Sequence, residues 1–328
     1  MVSVYEVVRD RILSSLEAGT VPWQQTWQSI CPMNIATRKP YRGINRLLLS
    51  GHTWWGTYNQ IRRAGGHVRR GEKASGMVVF WSCFDTEKIT NENGEQVTVA
   101  LQRDRPLVRY YKVFNLSQCE GIEVEQAGEV RPVTTCEDLI ARNRPRVDPG
   151  EPAYYPASDR ITVPAPDRFA SPEAYYAAFF HELTHWTGHA SRLNRPGITG
   201  PIRFGSERYS REELTAEMGA AFLCAMAGTD MPVAENQAAY IAGWLRHIRD
   251  GSAADVIRAA ADAQKAADFL TGGGEGASSF SGSATGRAIS LVSMPRPGSS
   301  RCPVPLTPSL ARSARFMAAA DWDFVNAH

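Results

Sequence analysis

The segment His181-Glu182-Leu183-Thr184-His185 constrains this chain more than any other, because its residue types make chemical sense together only on a helix. Tyr175, Tyr176, Phe179, Phe180, Leu183 and Trp186 give it an apolar, helical context. Ser171-Pro172-Glu173 supplies a capping serine and a first-turn proline at its start. Positions i and i+4 share a helix face, so His181 and His185 present two imidazoles to one ion. Glu182 reaches a water on that ion as general base and proton shuttle.

Two ligands do not complete a catalytic site, which takes three protein groups and leaves a place for water. The next acidic helix contains Glu212-Glu213-Leu214-Thr215-Ala216-Glu217. Glu213 and Glu217 share a face, so one binds the metal and the other hydrogen-bonds a ligand histidine. Spacing alone does not say which. Glu212 is assigned to solvent. His189 is a rival third ligand, but three imidazoles in one straight row suit a tetrahedral ion poorly, and Gly188 ends the helix first. Zinc is the expected cofactor, with manganese or cobalt as alternatives.

The expected fold class is α+β. Helices are read at 3–18, 44–50 and 57–64, and strands at 77–81, 97–101 and 107–114, giving an antiparallel sheet in a front domain of residues 1–130. Residues 131–151, with Pro132, Pro145 and Pro149 around a short helix at 135–142, read as a linker. A mainly helical second domain spans 152–271, with a strand at 161–163 and helices at 172–187, 210–227, 235–249 and 252–270. Residues 272–328, rich in Gly, Ser and Pro, read as a disordered tail.

Composition narrows the class of protein. A 43% hydrophobic and 21% charged chain is ordinary for a globular protein. It has no apolar run long enough to span a bilayer and no secretory signal pattern near Met1, so no membrane partner is expected. Six scattered cysteines without a Cys-x-x-Cys pair argue against a thiolate metal site or a disulfide framework, and point to the cytoplasm. Net charge is uneven: residues 1–132 hold 17 Lys/Arg against 13 Asp/Glu, and residues 133–271 hold 14 against 18.

The basic excess concentrates at 38–73, where Arg38, Lys39, Arg42, Arg46, Arg62, Arg63, Arg69, Arg70 and Lys73 face only Glu72, interleaved with Tyr41, Trp54, Trp55 and Tyr58. Cations neutralise phosphates and flat rings stack on bases that single strands expose and duplexes hide. These residues are therefore the expected single-stranded-DNA contacts. Phe80 and Trp81, in an apolar strand, read as core.

Several ordered motifs resemble the ArdC-type antirestriction proteins. They are Pro40-Tyr41-Arg42-Gly43-Ile44-Asn45-Arg46, Tyr58-Asn59-Gln60 and Gly66-His67-Val68-Arg69-Arg70-Gly71-Glu72-Lys73. The stretch from His181 to His189 with Arg192-Leu193 and Glu213-Leu214-Thr215-Ala216-Glu217 follows. The front domain also resembles one found in some plasmid-encoded primases. The resemblance covers about residues 3–271 and implies a single-stranded-DNA-binding domain followed by a zincin-like metallopeptidase domain. It also implies a role shielding incoming DNA from restriction during conjugation. The Glu-x-x-Ala-Glu run is similar to the Glu-x-x-x-Asp arrangement of gluzincin peptidases, whose first acid binds zinc, which favours Glu213 over Glu217. A protein or peptide substrate is then expected. The rival expectation is a non-catalytic single-strand binder in which the metal is structural.

Overall fold

The computed structural model describes residues 3–24, 32–49, 51–90, 96–124, 135–200, 207–232 and 237–272. The tail beyond Gly272, Trp27 and the turn expected at 91–94 lie outside them.

The chain opens with α1 (Val4–Glu17). Ser3 accepts from the Glu6 backbone while the Glu6 carboxylate accepts from the Ser3 backbone, a reciprocal cap that starts the helix. Val8, Ile12 and Leu16, four apart, form its buried stripe, and Gly19 takes up a positive φ just past its end. β1 (Met33–Asn34), α2 (Ile44–Leu47), β2 (Trp54–Gly56), α3 (Tyr58–Arg63) and β3 (His67–Val68) follow. Then come the long strands β4 (Gly76–Thr90) and β5 (Gln96–Asn115) and short β6 (Cys119–Glu120). The sheet order is β1-β2-β5-β4, with β3 and β6 paired separately.

Two strands expected at 97–101 and 107–114 are one continuous strand, held straight along β4 from Gly76↔Val113 to Thr90↔Gln96 with a bulge between Ser82 and Phe84. The sheet is mixed rather than antiparallel throughout, since β1 runs parallel to β2. Gly76 is where the strand comes close to its neighbours: a Cβ there would sit 2.6 Å from the Trp55 ring.

The second half contains α4 (Cys136–Asn143), β7 (Arg146–Pro149), β8 (Ala153–Tyr155), β9 (Arg160–Val163), α5 (Pro172–Thr187), α6 (Pro196–Thr199), α7 (Glu207–Ala227), α8 (Gln237–Asp250) and α9 (Asp255–Thr271). Much of the stretch expected to be linker belongs to this body. Leu139 of α4 is fully buried, and β7 pairs with β9 in a sheet ordered β7-β9-β8. Prolines in the interval do not oppose this, because Pro149 ends an edge strand, where a missing N–H costs nothing.

One core joins the two halves. Val8, Ile12 and Leu16 of α1, Trp23, and Ile44 and Leu47 of α2 pack in the same cluster as Phe222 of α7, Trp244 of α8 and Leu270 of α9. Alanines at 259, 260, 263, 266 and 267 give α9 a smooth buried face. Helices α5 and α7 come closer still, because Gly219 lies against Thr184: a Cβ on Gly219 would be 2.5 Å from the threonine side chain.

That contact yields a test. Gly219→Ala is expected to destabilise the protein by about 1–3 kcal/mol through overpacking, despite the better helix propensity of alanine. Adding Thr184→Ala should recover most of the loss. Urea unfolding of the two variants checks it, and a stabilised single variant would contradict the close packing.

Candidate metal centre

Helix α5 presents His181, Glu182 and His185, and helix α7 presents Glu212, Glu213 and Glu217. Their packing places the ligand atoms together: His181 Nε2 lies 3.2 Å from His185 Nε2. Glu213 Oε2 lies 3.5 Å from His181 Nε2, and its Oε1 lies 3.7 Å from His185 Nε2. Tetrahedral coordination with bonds of about 2.0–2.1 Å puts neighbouring ligand atoms about 3.3–3.4 Å apart, so the three groups form a cage of the right size. The donor set is also one that a divalent cation takes. His185 Nδ1 faces the Glu212 carboxylate at 3.2 Å, and His181 Nδ1 faces Glu217 Oε1 at 4.0 Å. In the neutral rings the Glu212 carboxylate draws the His185 proton to Nδ1, and Glu217, beyond hydrogen-bond reach, favours the same choice at His181, so that both Nε2 atoms face the cage.

The carboxylates also act on the charge of the rings. Burial opposes charge on His185, but Glu213 and Glu212 outweigh it and hold its pKa well above the usual imidazole range. Burial likewise raises the Glu213 carboxyl, and His185 and His181 more than reverse it, so Glu213 stays ionised. Glu182 is different. Burial pushes its pKa up, and the two histidines and the Tyr154 N–H offset this only in part. A carboxylate raised in this way beside a cation-binding cage is suited to taking up and releasing a proton.

Glu212, expected in solvent, is the most tightly held acid of the site. Its side chain is 6% exposed, and the Arg195 guanidinium donates to it through Nε at 3.0 Å and Nη2 at 2.6 Å. Arg195 also donates to the Thr187 hydroxyl and the Thr184 carbonyl, both at 2.6 Å. Sequence reasoning missed this pair because it gave α7 a solvated face at Glu212. The missing signal was glycine: a Cβ on Gly197 would lie 2.7 Å from the Glu212 Cβ, and one on Gly188 2.9 Å from Arg195 Nη2. His189 lies past the end of α5, its Nδ1 2.8 Å from the Ser191 hydroxyl, and among the described residues the ligand cluster is His181, His185 and Glu213 without it.

The expected DNA contacts divide. Arg46 and Trp55 are buried, Arg46 beneath the Phe222 ring of α7 and Trp55 in a small cluster with Leu49, Val78 and Val113. Neither presents a free face: the second half covers Arg46, and neighbours within the front half cover Trp55. Arg42 likewise pairs with Asp268 of α9. Tyr41 is partly buried and accepts from Asn34, Trp54 lies under the Arg38 guanidinium, and Arg69 pairs with Glu72. Arg38, Lys39, Tyr58, Arg62, Arg63, Arg70 and Lys73 are exposed. Phe80, expected in the core, is 53% exposed: Val79 faces inward, and the two-residue alternation of a strand turns Phe80 out. Opposite it stands Arg109, and its ring meets that of Tyr111 edge-on at 6.5 Å. Arg109 and Tyr111 are exposed on the same face as Phe80, and Tyr110 and Lys112 on the opposite one, rings and cations that sequence reading did not single out.

Residues 2–114 match the family described as the N-terminal domain of anti-restriction factor ArdC, and residues 135–262 match a zincin-like metallopeptidase family. Two Escherichia coli proteins named DNA primase TraC are 36% and 34% identical over 292 residues. These matches cover 81% of this chain, which spans 27% and 20% of those proteins. The protein y4eC of Sinorhizobium fredii is 33% identical over 285 residues, covering 81% of this chain and 91% of that protein. A metal-free crystal structure of antirestriction ArdC protein from plasmid R388 superposes with a TM-score of 0.61 at 35% identity, covering 82% of this chain and 97% of that one. The Mn(II)-bound structure gives 0.63 at 33% identity, covering 85% and 100%.

Glu212→Gln removes the carboxylate that balances buried Arg195 and fixes the His185 tautomer. It is expected to weaken divalent-metal affinity about 10- to 100-fold and to lower stability by about 3–5 kcal/mol. Metal titration and urea unfolding measure the two losses; unchanged values in both would remove Glu212 from the site.

Proposed function

Because the chain belongs to the ArdC-type antirestriction protein family, we propose that it binds single-stranded DNA and carries a zinc metallopeptidase-type site, protecting incoming DNA during conjugation. The observation that carries the enzymatic half is the convergence of His181, His185 and Glu213 with Glu182 beside them. Among the described residues no fourth protein group joins the cluster. A three-ligand set is the catalytic pattern, whereas structural zinc sites close with four. This favours the enzyme over the reading in which the metal is structural. Glu213, at 23% side-chain exposure, marks the side from which substrate enters, while His185 seals the other.

A divalent cation in this cage supplies Lewis-acid polarisation of a water and of a substrate carbonyl. The chain does the rest. His181 and His185 point Nε2 inward, with Glu217 and Glu212 behind them. The Glu182 carboxylate accepts the proton of the attacking water and returns it to the departing amine nitrogen, a transfer favoured by its raised pKa. A protein or peptide is the substrate class this chemistry fits. Manganese in the R388 relative supports a divalent ion, and the two-His, one-Glu donor set supports zinc here.

For DNA, we propose that the exposed rings Tyr58, Phe80, Tyr110 and Tyr111 stack on bases. Lys39, Arg62, Arg63, Arg70, Lys73, Arg109 and Lys112 neutralise phosphates.

Two measurements separate the halves. Glu182→Gln is expected to keep wild-type metal content and lose peptide hydrolysis by at least about 100-fold; undiminished cleavage sinks the catalytic role. Phe80→Ala with Tyr111→Ala is expected to weaken oligonucleotide binding by about 1–3 kcal/mol per stacked base. Arg62→Ala with Arg63→Ala should flatten the salt dependence of binding. Salt-independent binding by the wild type would refute the DNA surface.

A further inference from the structure

Beside the proposed ligand His181 stands Glu217, the end of a hydrogen-bonded chain that begins in the other half of the molecule. Trp23, in the segment after α1, is fully buried and 217 positions away in sequence from Tyr240 of α8. Its indole Nε1–H donates to the Tyr240 hydroxyl oxygen at 2.9 Å, and that hydroxyl donates to Glu217 Oε2 at 3.0 Å. The polarity of the chain is fixed by chemistry. An indole N–H can only donate, so the phenol oxygen must accept it, and the single phenol proton is then directed to the carboxylate. With Oε2 held, Glu217 turns Oε1 to His181 Nδ1, 4.0 Å away. Edge-on packing of Trp23 on Trp244 at 5.5 Å, and of Tyr240 on Trp244 at 6.4 Å, leaves the two rings little freedom to rotate.

We infer that Trp23 and Tyr240 are positioning residues of the metal centre: the N-terminal half, through these two side chains, sets the orientation of Glu217 and hence of His181. The inference rests on the metal-centre reading above. It accounts for a feature that core packing alone does not require, since a phenylalanine would fill the place of Tyr240 without burying a hydroxyl. It also makes the front half part of the metal site rather than a separate binding module.

The test uses the full chain, stripped of metal and titrated with Zn(II) and with Mn(II). Tyr240→Phe keeps the ring and removes the link to Glu217; affinity is expected to fall about 10-fold. Trp23→Phe keeps a ring against Trp244 and removes the donor; affinity is expected to fall several-fold. The double variant is expected to bind no more weakly than Tyr240→Phe alone, because both changes cut one chain. A metal-free melting temperature within a few degrees of wild type for Tyr240→Phe separates this effect from lost folding. Unchanged affinity in Tyr240→Phe overturns the inference by itself, and additive losses in the double variant overturn the part assigned to Trp23. Failure of the wild type to bind either metal would instead refute the metal centre.

Discussion

The buried ion pair between Arg195 and Glu212 is the constraint on which the site's geometry depends. A carboxylate and a guanidinium, each almost wholly removed from water, are tolerated only when every lone pair and proton has a partner. Here the guanidinium reaches Glu212, the Thr187 hydroxyl and the Thr184 carbonyl, and the carboxylate also meets His185. Satisfying all of these admits one rotation of α7 about its axis. With Glu212 turned to Arg195, the next residue, about 100° around the helix, faces the Nε2 atoms of both histidines, and Glu217 lies one turn further along. The pairing therefore turns Glu213 to the two Nε2 atoms and leaves Glu217 beside His181 Nδ1, which makes Glu213 the proposed ligand, a choice that spacing alone left open.

The two halves share one core, and this changes what the basic region can do. A basic stretch in an isolated domain would offer every arginine to a ligand. In this chain Arg42 and Arg46 are spent on α9 and α7, because α2 and the residues before it lie against the second half, while Trp55 packs within the front half on Leu49 and Val78. The surface proposed for a nucleic acid moves toward α3 and toward the face of β4 and β5 on which Phe80, Arg109 and Tyr111 are exposed.

The legible parts of the fold were those set by short-range rules. Helix α5 announced itself through Ser171, Pro172 and the apolar run to Trp186, and α1 through Val8, Ile12 and Leu16; both stand close to where periodicity put them. The two histidines proposed as ligands followed from the same rule. What escaped was set by contacts distant in sequence. No local pattern tells that Glu212 meets an arginine 17 positions earlier, or that Trp23 meets a tyrosine 217 positions later. Phe80 was misplaced for a different reason: a run of five apolar residues hides the alternation of a strand with one face open. The segment at 135–149 was read from its prolines as linker, though a proline at a strand end is compatible with a sheet.

Charge gives the two halves their division of labour. The acidic excess of residues 133–271 suggests a surface that repels DNA, but the site carboxylates Glu182, Glu212, Glu213 and Glu217, as many as the excess itself, are largely withdrawn into the interior. Their fields are absorbed by His181, His185 and Arg195, and a bound divalent cation would cancel half of the excess outright. At distances beyond about 8 Å, salt screens much of what remains. The exposed arginines and lysines of α3 and β5 then dominate the approach of a polyanion. The proposed metal centre and the proposed DNA surface can share one core because the acids of the site are withdrawn into the interior beside His181, His185 and Arg195.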